Sequence, residues 1–215
     1  MSTSDSRQWD TRAEVVVVGT GGAGMTAALA ASDRGAETLV LEKAPKIGGT
    51  TAVSASVLWI PNSRPVVESV GETPFEDLLA YLTRLTGGRV PEAKIETFLE
   101  TGPDVIDYLE RETPVTFQHV VDLPDYHTEF EGGSARGRSI EPTLLDEAAL
   151  DGALEAVRDA PIFQVSATQL DMFEGRGMVR FPVELDRETV KERFASNKVA
   201  GGRALIGSLH RACLD

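Results

Sequence analysis

Gly19-Thr20-Gly21-Gly22-Ala23-Gly24 has the G-x-G-x-x-G spacing that suits a backbone handling phosphate. Each glycine does something different. Gly19 permits a tight turn, Gly21 lets the backbone approach a pyrophosphate, and Gly24 allows a helix to lie close on a strand. Gly22 and Ala23 carry the turn into a helix start, whose N–H groups and positive dipole end favour the phosphates. Glu42 is a carboxylate placed to accept hydrogen bonds from the ribose hydroxyls of an adenosine half, where an arginine would have suited a 2′-phosphate. Glu42-Lys43 leads to a second glycine turn, Gly48-Gly49-Thr50-Thr51-Ala52, with hydroxyls able to reach a cofactor's pyrophosphate and ribityl side. Simple nicotinamide dehydrogenases have no need of that second loop.

These residues need a strand before the loop, a helix after it and a second strand before Glu42. Val15 to Val18 is a continuous β-branched run, the pattern of a strand covered on both faces in a parallel sheet. Met25 to Arg34, with Ala27, Ala28, Leu29 and Ala31, suits a helix close on that sheet, and Gly35 is placed to end it in the left-handed conformation. Thr38 to Leu41 is the second strand. From Thr73 the texture turns helical: Thr73-Pro74-Phe75-Glu76 has the form of a capping box with proline at the first helical position, and Phe75, Leu78, Leu79, Leu82 and Leu85 make an apolar stripe that Gly87-Gly88 stops. Two short helices are expected at Pro91 to Glu100 and Pro103 to Glu112, then a strand at Val115 to Phe117. His119 to Pro142 is long, glycine-rich and aperiodic, as functional loops are. Helices are expected again at Leu144 to Arg158, Arg187 to Ser196 and from Arg203 onward. The fold class is α/β: a Rossmann-like βαβ core with a largely helical and loop insertion.

The 215 residues would make one large domain or a domain and a half, and 41% hydrophobic with 26% charged residues is an ordinary globular composition. A formal net charge of -13 repels phosphate backbones, which argues against a nucleic-acid partner. No apolar run approaches a membrane span, and Met1 to Arg12 has no apolar signal-peptide core, so the expected home is the cytoplasm. The acids Asp146, Glu147, Asp151, Glu155 and Asp159 read as the solvated face of one exposed helix. The single cysteine, Cys213, excludes an internal disulfide and reads as a buried small side chain. His119, His127 and His210 fit no metal-ligand spacing, and no metal is expected.

The run from Glu14 to Asn62 resembles the opening of the fumarate reductase and succinate dehydrogenase flavoprotein superfamily. Its pairing of Gly48-Gly49-Thr50-Thr51-Ala52 with Leu58-Trp59-Ile60-Pro61-Asn62 is most similar to the 3-ketosteroid Δ1-dehydrogenase branch. Leu123-Pro124-Asp125-Tyr126-His127, Gly132-Gly133 and Gly137-Arg138-Ser139-Ile140-Glu141-Pro142 resemble that branch's active-site loop, and Gly201 to Gly207 its helix returning to the flavin domain. One departure is Ser54-Ala55-Ser56, where the family usually has Ser-Gly-Gly or Ser-Gly-Ala. A methyl there would crowd a flavin ring or move the backbone.

The resemblance implies FAD, bound non-covalently because Gly48 to Ser56 contains no histidine for a covalent link. It implies a steroid-like hydrophobic ketone as substrate, and a role for Tyr126 in moving a proton from the substrate ring; a loop anchor is the alternative for that side chain. Arg136 and Arg138 would either clamp an anion or brace their own glycine loop, and His127 would relay a proton or simply face solvent. The resemblance divides the chain into an FAD-binding segment (1–62), an insertion carrying the active-site loop (63–198) and a return helix (199–215). The substrate domain of that family is not among these residues. The flavin domain is therefore expected to be incomplete, with exposed apolar surface where further strands would pack and a second chain as one source of the rest. The isolated chain is expected to be inactive.

Overall fold

The computed structural model describes residues 10–121, 123–160 and 187–214. Strand β1 (Val15–Val18) leads through the glycine loop into helix α1 (Gly22–Ser32) and then strand β2 (Thr38–Leu41), which pairs parallel to β1 with Val15 opposite Thr38 and Val18 opposite Leu41. Gly35, at φ 83°, sits in the turn after α1, where a β-carbon would be strained. Helix α1 covers one face of this pair, burying Met25, Ala28 and Leu29. Among the described residues nothing covers the other face: Val16 and Val18 are 52% and 83% exposed, and Leu41 is exposed beside them. The expectation that β1 is covered on both faces is corrected here, whereas the expected exposed apolar surface is present.

A single turn, α2 (Gly49–Ala52), and β3 (Leu58–Trp59) follow, then α3 (Arg64–Val70), α4 (Phe75–Thr86) and α5 (Glu92–Glu112). The capping box does not form. Pro74 is the residue before the helix, no side chain caps it, and the Thr73 N–H instead donates to Asn62 Oδ1 at 2.9 Å. The stop at Gly87 is as expected, with φ 59°. The two helices expected between Pro91 and Glu112 are one, running through Pro103. A proline inside a helix costs about 3 kcal/mol. Ile95, Leu99, Ile106 and Leu109 lie in phase on either side of Pro103 and are all buried, so tertiary burial at about 1.5–3 kcal/mol per large apolar side chain outweighs that cost.

Strands β4 (Phe117–His119) and β5 (Ser139–Pro142) complete a three-stranded antiparallel sheet in the order β3-β5-β4, with Leu58 and His119 both opposite Ile140. The expected strand at Val115 to Phe117 is thus shifted toward His119. The expected helix at Leu144 to Arg158 is absent: β6 (Leu145–Asp146) and two 3-10 turns (Glu147–Leu150 and Ala153–Ala156) occupy it. Asp151 at φ 45° and Gly152 at φ 78° are consecutive left-handed residues that no right-handed helix can pass through. The acids of this stretch are exposed, as expected, while Leu150, Ala153, Leu154 and Val157 turn inward.

Helix α6 (Arg187–Ala195), strand β7 (Lys198–Val199), paired with β6, and helix α7 (Gly201–Cys213) close the described chain. Residues 161–186 of the expected insertion lie outside the described residues. Helix α7 runs through the main core, burying Ala204, Leu205, Ile206 and Leu209 against Met25, Leu29, Ile140, Leu150 and Leu154. A second, smaller cluster of Leu78, Ile95 and Leu99 joins α4 to α5, with Trp59 and Phe75 packed against it. Cys213 is exposed, not buried, because it lies past the last inward turn of α7.

Candidate functional site

The first glycine loop leaves β1 at Gly19, whose φ of 99° requires glycine and whose N–H donates to Leu41 O at 2.7 Å. A β-carbon on Gly24 would stand 2.2 Å from the Gly19 carbonyl oxygen, so the close approach of α1 to the strand end needs glycine there. Gly21 precedes α1 in extended conformation, and the first turn, Gly22, Ala23, Gly24 and Met25, carries no acidic side chain to compete for the helix's positive end. Of these, the Met25 N–H donates to Gly21 O at 3.0 Å, while the Ala23 and Gly24 N–H groups have no helical carbonyl to bond and face the open end of the helix.

The second loop meets the first. Gly48 (φ 105°) and Gly49 (φ 51°) turn the chain into α2, and the Thr51 hydroxyl accepts the Gly22 N–H at 3.0 Å. Thr51 therefore caps α1 from outside it, keeping its own O–H proton for a further acceptor. Ala52 is buried under this turn, whereas Thr50 and Lys43 are exposed at its rim. The loop is backed by α7: a β-carbon on Gly202 would fall 1.7 Å from Thr51 O, and the Gly202 N–H donates to Ser54 O at 2.9 Å. Of Ser54-Ala55-Ser56, it is Ser56, buried and at φ 52°, that takes the left-handed conformation, bridged to the Ser54 hydroxyl through its N–H at 3.0 Å. The methyl of Ala55 thus leaves the strained backbone position one residue further on.

Thr20, which spacing arguments passed over, ties the two loops to Glu42. Its N–H donates to Glu42 Oε2 at 3.1 Å, its hydroxyl bonds the same oxygen, and that hydroxyl accepts the Gly48 N–H at 3.0 Å. The Ala44 N–H donates to Glu42 Oε1 at 2.9 Å. These bonds, the Thr20 hydroxyl first and then the backbone N–H groups, lower the Glu42 pKa to about 2. Glu42 is therefore an anchored anion with acceptor capacity to spare for hydroxyl groups. A polar residue between the first two glycines was the available signal for Thr20.

Tyr126 belongs to a separate structure. It stands on the loop between β4 and β5 with 90% of its surface exposed, so it is no packed anchor. The residue before it, Asp125, is buried and accepts from Trp59 Nε1 at 2.8 Å, from the Ser134 N–H at 3.0 Å and from Arg138 Nε at 3.1 Å, with Arg138 Nη2 on the same oxygen as Nε. Arg138 also donates to Gly132 O at 2.7 Å and lies over the rings of Trp59 and Tyr81 at 5.1 and 5.3 Å. Of the two alternatives for Arg138, the bonds made are those of a brace. Burial, with the Asp125 charge second, pushes the Tyr81 hydroxyl pKa up. Arg136 stays exposed, 3.5 Å from Ser69 O. His127 pairs with Glu129 at 2.8 Å and stacks on Phe130, His119 bonds Ser69 Oγ at 2.8 Å, and His210 bonds Ala153 O at 2.9 Å. Among the described residues no cluster could hold a metal ion and no helix is long and apolar enough to cross a membrane.

The two glycine loops bring together a helix start free of acidic side chains, a hydroxyl that caps it and an anchored acid, chemistry suited to a dinucleotide. Residues 14–213 match the family described as FAD binding domain. The chain is 35% identical to a 3-oxosteroid 1-dehydrogenase of Mycolicibacterium smegmatis over 91% of its own length and 36% of that protein. It is 34% identical to a 4-oxocyclohexanecarboxylate 2-dehydrogenase of Sinomonas cyclohexanicum over 94% of its length and 34% of the relative. The solved 3-ketosteroid Δ1-dehydrogenase of Sterolibacterium denitrificans, in complex with 1,4-androstadiene-3,17-dione, superposes with a TM-score of 0.79 at 27% identity, over 94% of this chain and 38% of that one. The chain thus spans about a third of the length of these relatives. With nearly all of its length matched, the chain belongs to the FAD-binding domain family.

Proposed function

We propose that this chain supplies the FAD-binding part of a flavin-dependent dehydrogenase that introduces a 1,2 double bond into 3-ketosteroids. The observation that carries this reading is the pairing of an anion-ready double glycine loop with a braced loop that holds a tyrosine out, unpacked, in a chain related to dehydrogenases of cyclic ketones. FAD, when bound, supplies the acceptor for a hydride. The chain's residues do the rest. The β1-α1-β2 unit acts as a Rossmann-like cradle, with Gly21, Ala23 and Gly24 offering N–H groups to the pyrophosphate, the Gly22 N–H holding the Thr51 hydroxyl beside it, and Glu42 accepting from ribose hydroxyls. Gly48, Gly49, Thr50, Thr51 and Ala52 cover the phosphates from the other side, with Lys43 at the edge. Binding is non-covalent. The hydroxyl of Tyr126 assists removal of the proton beside the substrate ketone. In this reading residues 1–62 and 199–215 build the cradle and 63–198 carry the catalytic loop. The bare face of β1 and β2 takes up further polypeptide, in the same chain or a second one, that completes the substrate site; the chain alone does not turn over.

The chain purified alone should bind FAD and carry flavin absorbance. A colourless protein that takes up no FAD on refolding overturns the proposal. With the complementary portion added in trans, a 3-ketosteroid should be dehydrogenated in the presence of an artificial electron acceptor, and Tyr126→Phe should lower kcat by about 10²–10⁴. An unchanged rate removes Tyr126 from the mechanism. The similarity to the 4-oxocyclohexanecarboxylate enzyme over 94% of this chain favours one other reading, a dehydrogenase of small cyclic ketones. A higher kcat/KM for that keto acid than for a steroid would establish it.

A further inference from the structure

Tyr126 has almost no contact surface of its own, so its direction is set by the backbone that carries it. On one side of it the His127 N–H bonds the Tyr81 hydroxyl, and on the other stands a denser set of ties. Asp125, its immediate neighbour, exchanges bonds with Ser134 in both directions: the Asp125 N–H donates to Ser134 O at 3.0 Å, and the Ser134 N–H donates to the Asp125 carboxylate at 3.0 Å. Arg138, at the far end of the loop, closes it with a two-pronged grip on the Asp125 carboxylate and a bond to Gly132 O. Both side chains are out of solvent, with 1% and 0% of their surfaces exposed. Trp59, on β3, donates to the other carboxylate oxygen, and its ring lies beside the guanidinium. The loop has no slack around this pair: a β-carbon on Gly137 would fall 1.7 Å from Leu123 O, and one on Gly132 would fall 2.0 Å from Asp77 O on α4.

A pair so placed does more than fill space. Two guanidinium nitrogens converge on one Asp125 oxygen while Trp59 Nε1 takes the other, so both oxygens are fixed in direction. A lysine's single ammonium cannot supply the same pair of donors and the bond to Gly132 O together. We propose that Asp125 and Arg138 are positioning residues, a buried ion pair that sets where the Tyr126 hydroxyl stands relative to bound FAD. This rests on the assignment of Tyr126 to the proton step. Because β3 follows directly on from α2, the Trp59 bond also refers the loop to the same stretch of chain that caps the cradle.

The chain has 3 tyrosines, Tyr81, Tyr108 and Tyr126, which makes fluorine NMR of the full chain containing 3-fluorotyrosine a direct test. Resonances are assigned by single Tyr→Phe changes and followed in the wild type and in Arg138→Lys, with and without FAD. Arg138→Lys keeps the charge and loses the fork. The expected result is that FAD shifts the wild-type Tyr126 resonance, and that in Arg138→Lys this shift is lost while FAD affinity and the Tyr108 resonance stay at their wild-type values. A Tyr126 resonance that is the same in both proteins, with and without FAD, overturns the positioning role. If FAD leaves the wild-type Tyr126 resonance unmoved, the assignment of Tyr126 to the flavin site fails; the pair's hold on the loop is then decided by whether Arg138→Lys moves that resonance without FAD. Should Arg138→Lys fail to fold, Trp59→Phe removes one donor to Asp125 and is expected to shift the Tyr126 resonance in the same direction, the absence of any shift counting against the pair.

Discussion

The glycine-loop cradle and the Tyr126 loop solve the same problem, holding a chemical group in place, with different materials. The cradle is made of backbone: positive φ at Gly19, Gly48 and Gly49, close approaches at Gly24 and Gly202, and hydroxyls of Thr20 and Thr51 as ties. The Tyr126 loop has glycine close approaches of its own, at Gly132 and Gly137, but its centre is made of side chains: one carboxylate, one guanidinium and, from β3, an indole. A backbone device fails when a side chain is added, because a β-carbon meets a carbonyl. A side-chain device fails when one partner is taken away, because the other is left charged and buried. The two regions should therefore break independently and by opposite kinds of mutation.

The largest effect is expected from Asp125→Ala. Removing one partner of a buried pair leaves an uncompensated charge and typically costs about 3–5 kcal/mol. That is a large share of the stability of an ordinary domain, about 5–15 kcal/mol. Urea unfolding should show the loss, while FAD affinity of the folded fraction stays unchanged; a parallel loss of affinity would mean that the two regions are one. Gly24→Ala is the opposite case. Alanine gains about 0.5–1 kcal/mol over glycine in a helix, but overpacking costs about 1–3 kcal/mol, and a contact of 2.2 Å to a carbonyl oxygen places this site toward the costly end. The expected result is a modest drop in stability with FAD affinity lowered about tenfold, equivalent to about 1.4 kcal/mol. Unchanged affinity would remove Gly24 from the cradle.

The difference in materials also explains what could be read without a structure. Backbone devices leave a local signature, since only glycine serves at Gly19 or Gly24, and the β1-α1-β2 order with both glycine loops was legible from spacing and periodicity. Thr20 sat inside that signature and was still missed, because its partners Glu42 and Gly48 are set by how the two loops meet. Asp125 and Arg138 lay in segments whose likeness to a flavoprotein loop was legible, but their pairing was not, since nothing in the spacing of a carboxylate and a guanidinium says that they face one another under an indole. The helical errors have the same origin. Pro103 is tolerated because Ile95, Leu99, Ile106 and Leu109 are buried together, and the segment from Leu144 is not helical because Leu150, Leu154 and Val157 pack on α7 through two left-handed residues. Both outcomes are tertiary packing overriding local preference.

The smallest effect, and the one that separates backbone from side-chain ties within the cradle itself, is the pH dependence carried by Glu42. Its pKa is lowered to about 2 from an ordinary value of 4.5, chiefly by the Thr20 hydroxyl and next by the Ala44 and Thr20 N–H groups. A carboxyl depressed on folding stabilises the folded state fully above its unfolded pKa, and the contribution is lost as the pH falls through the folded one. The window is therefore between about pH 4.5 and about pH 2. Urea midpoints measured across that window should fall with acidity less steeply in Glu42→Gln than in the wild type. Thr20→Val keeps the shape and removes the hydroxyl, so it should show an intermediate slope, because the N–H donors of Ala44 and residue 20 remain. If Thr20→Val were as flat as Glu42→Gln, the hydroxyl alone would hold the acid; if it were as steep as the wild type, the backbone alone would, and Thr20 would serve the cradle only through its bond to Gly48.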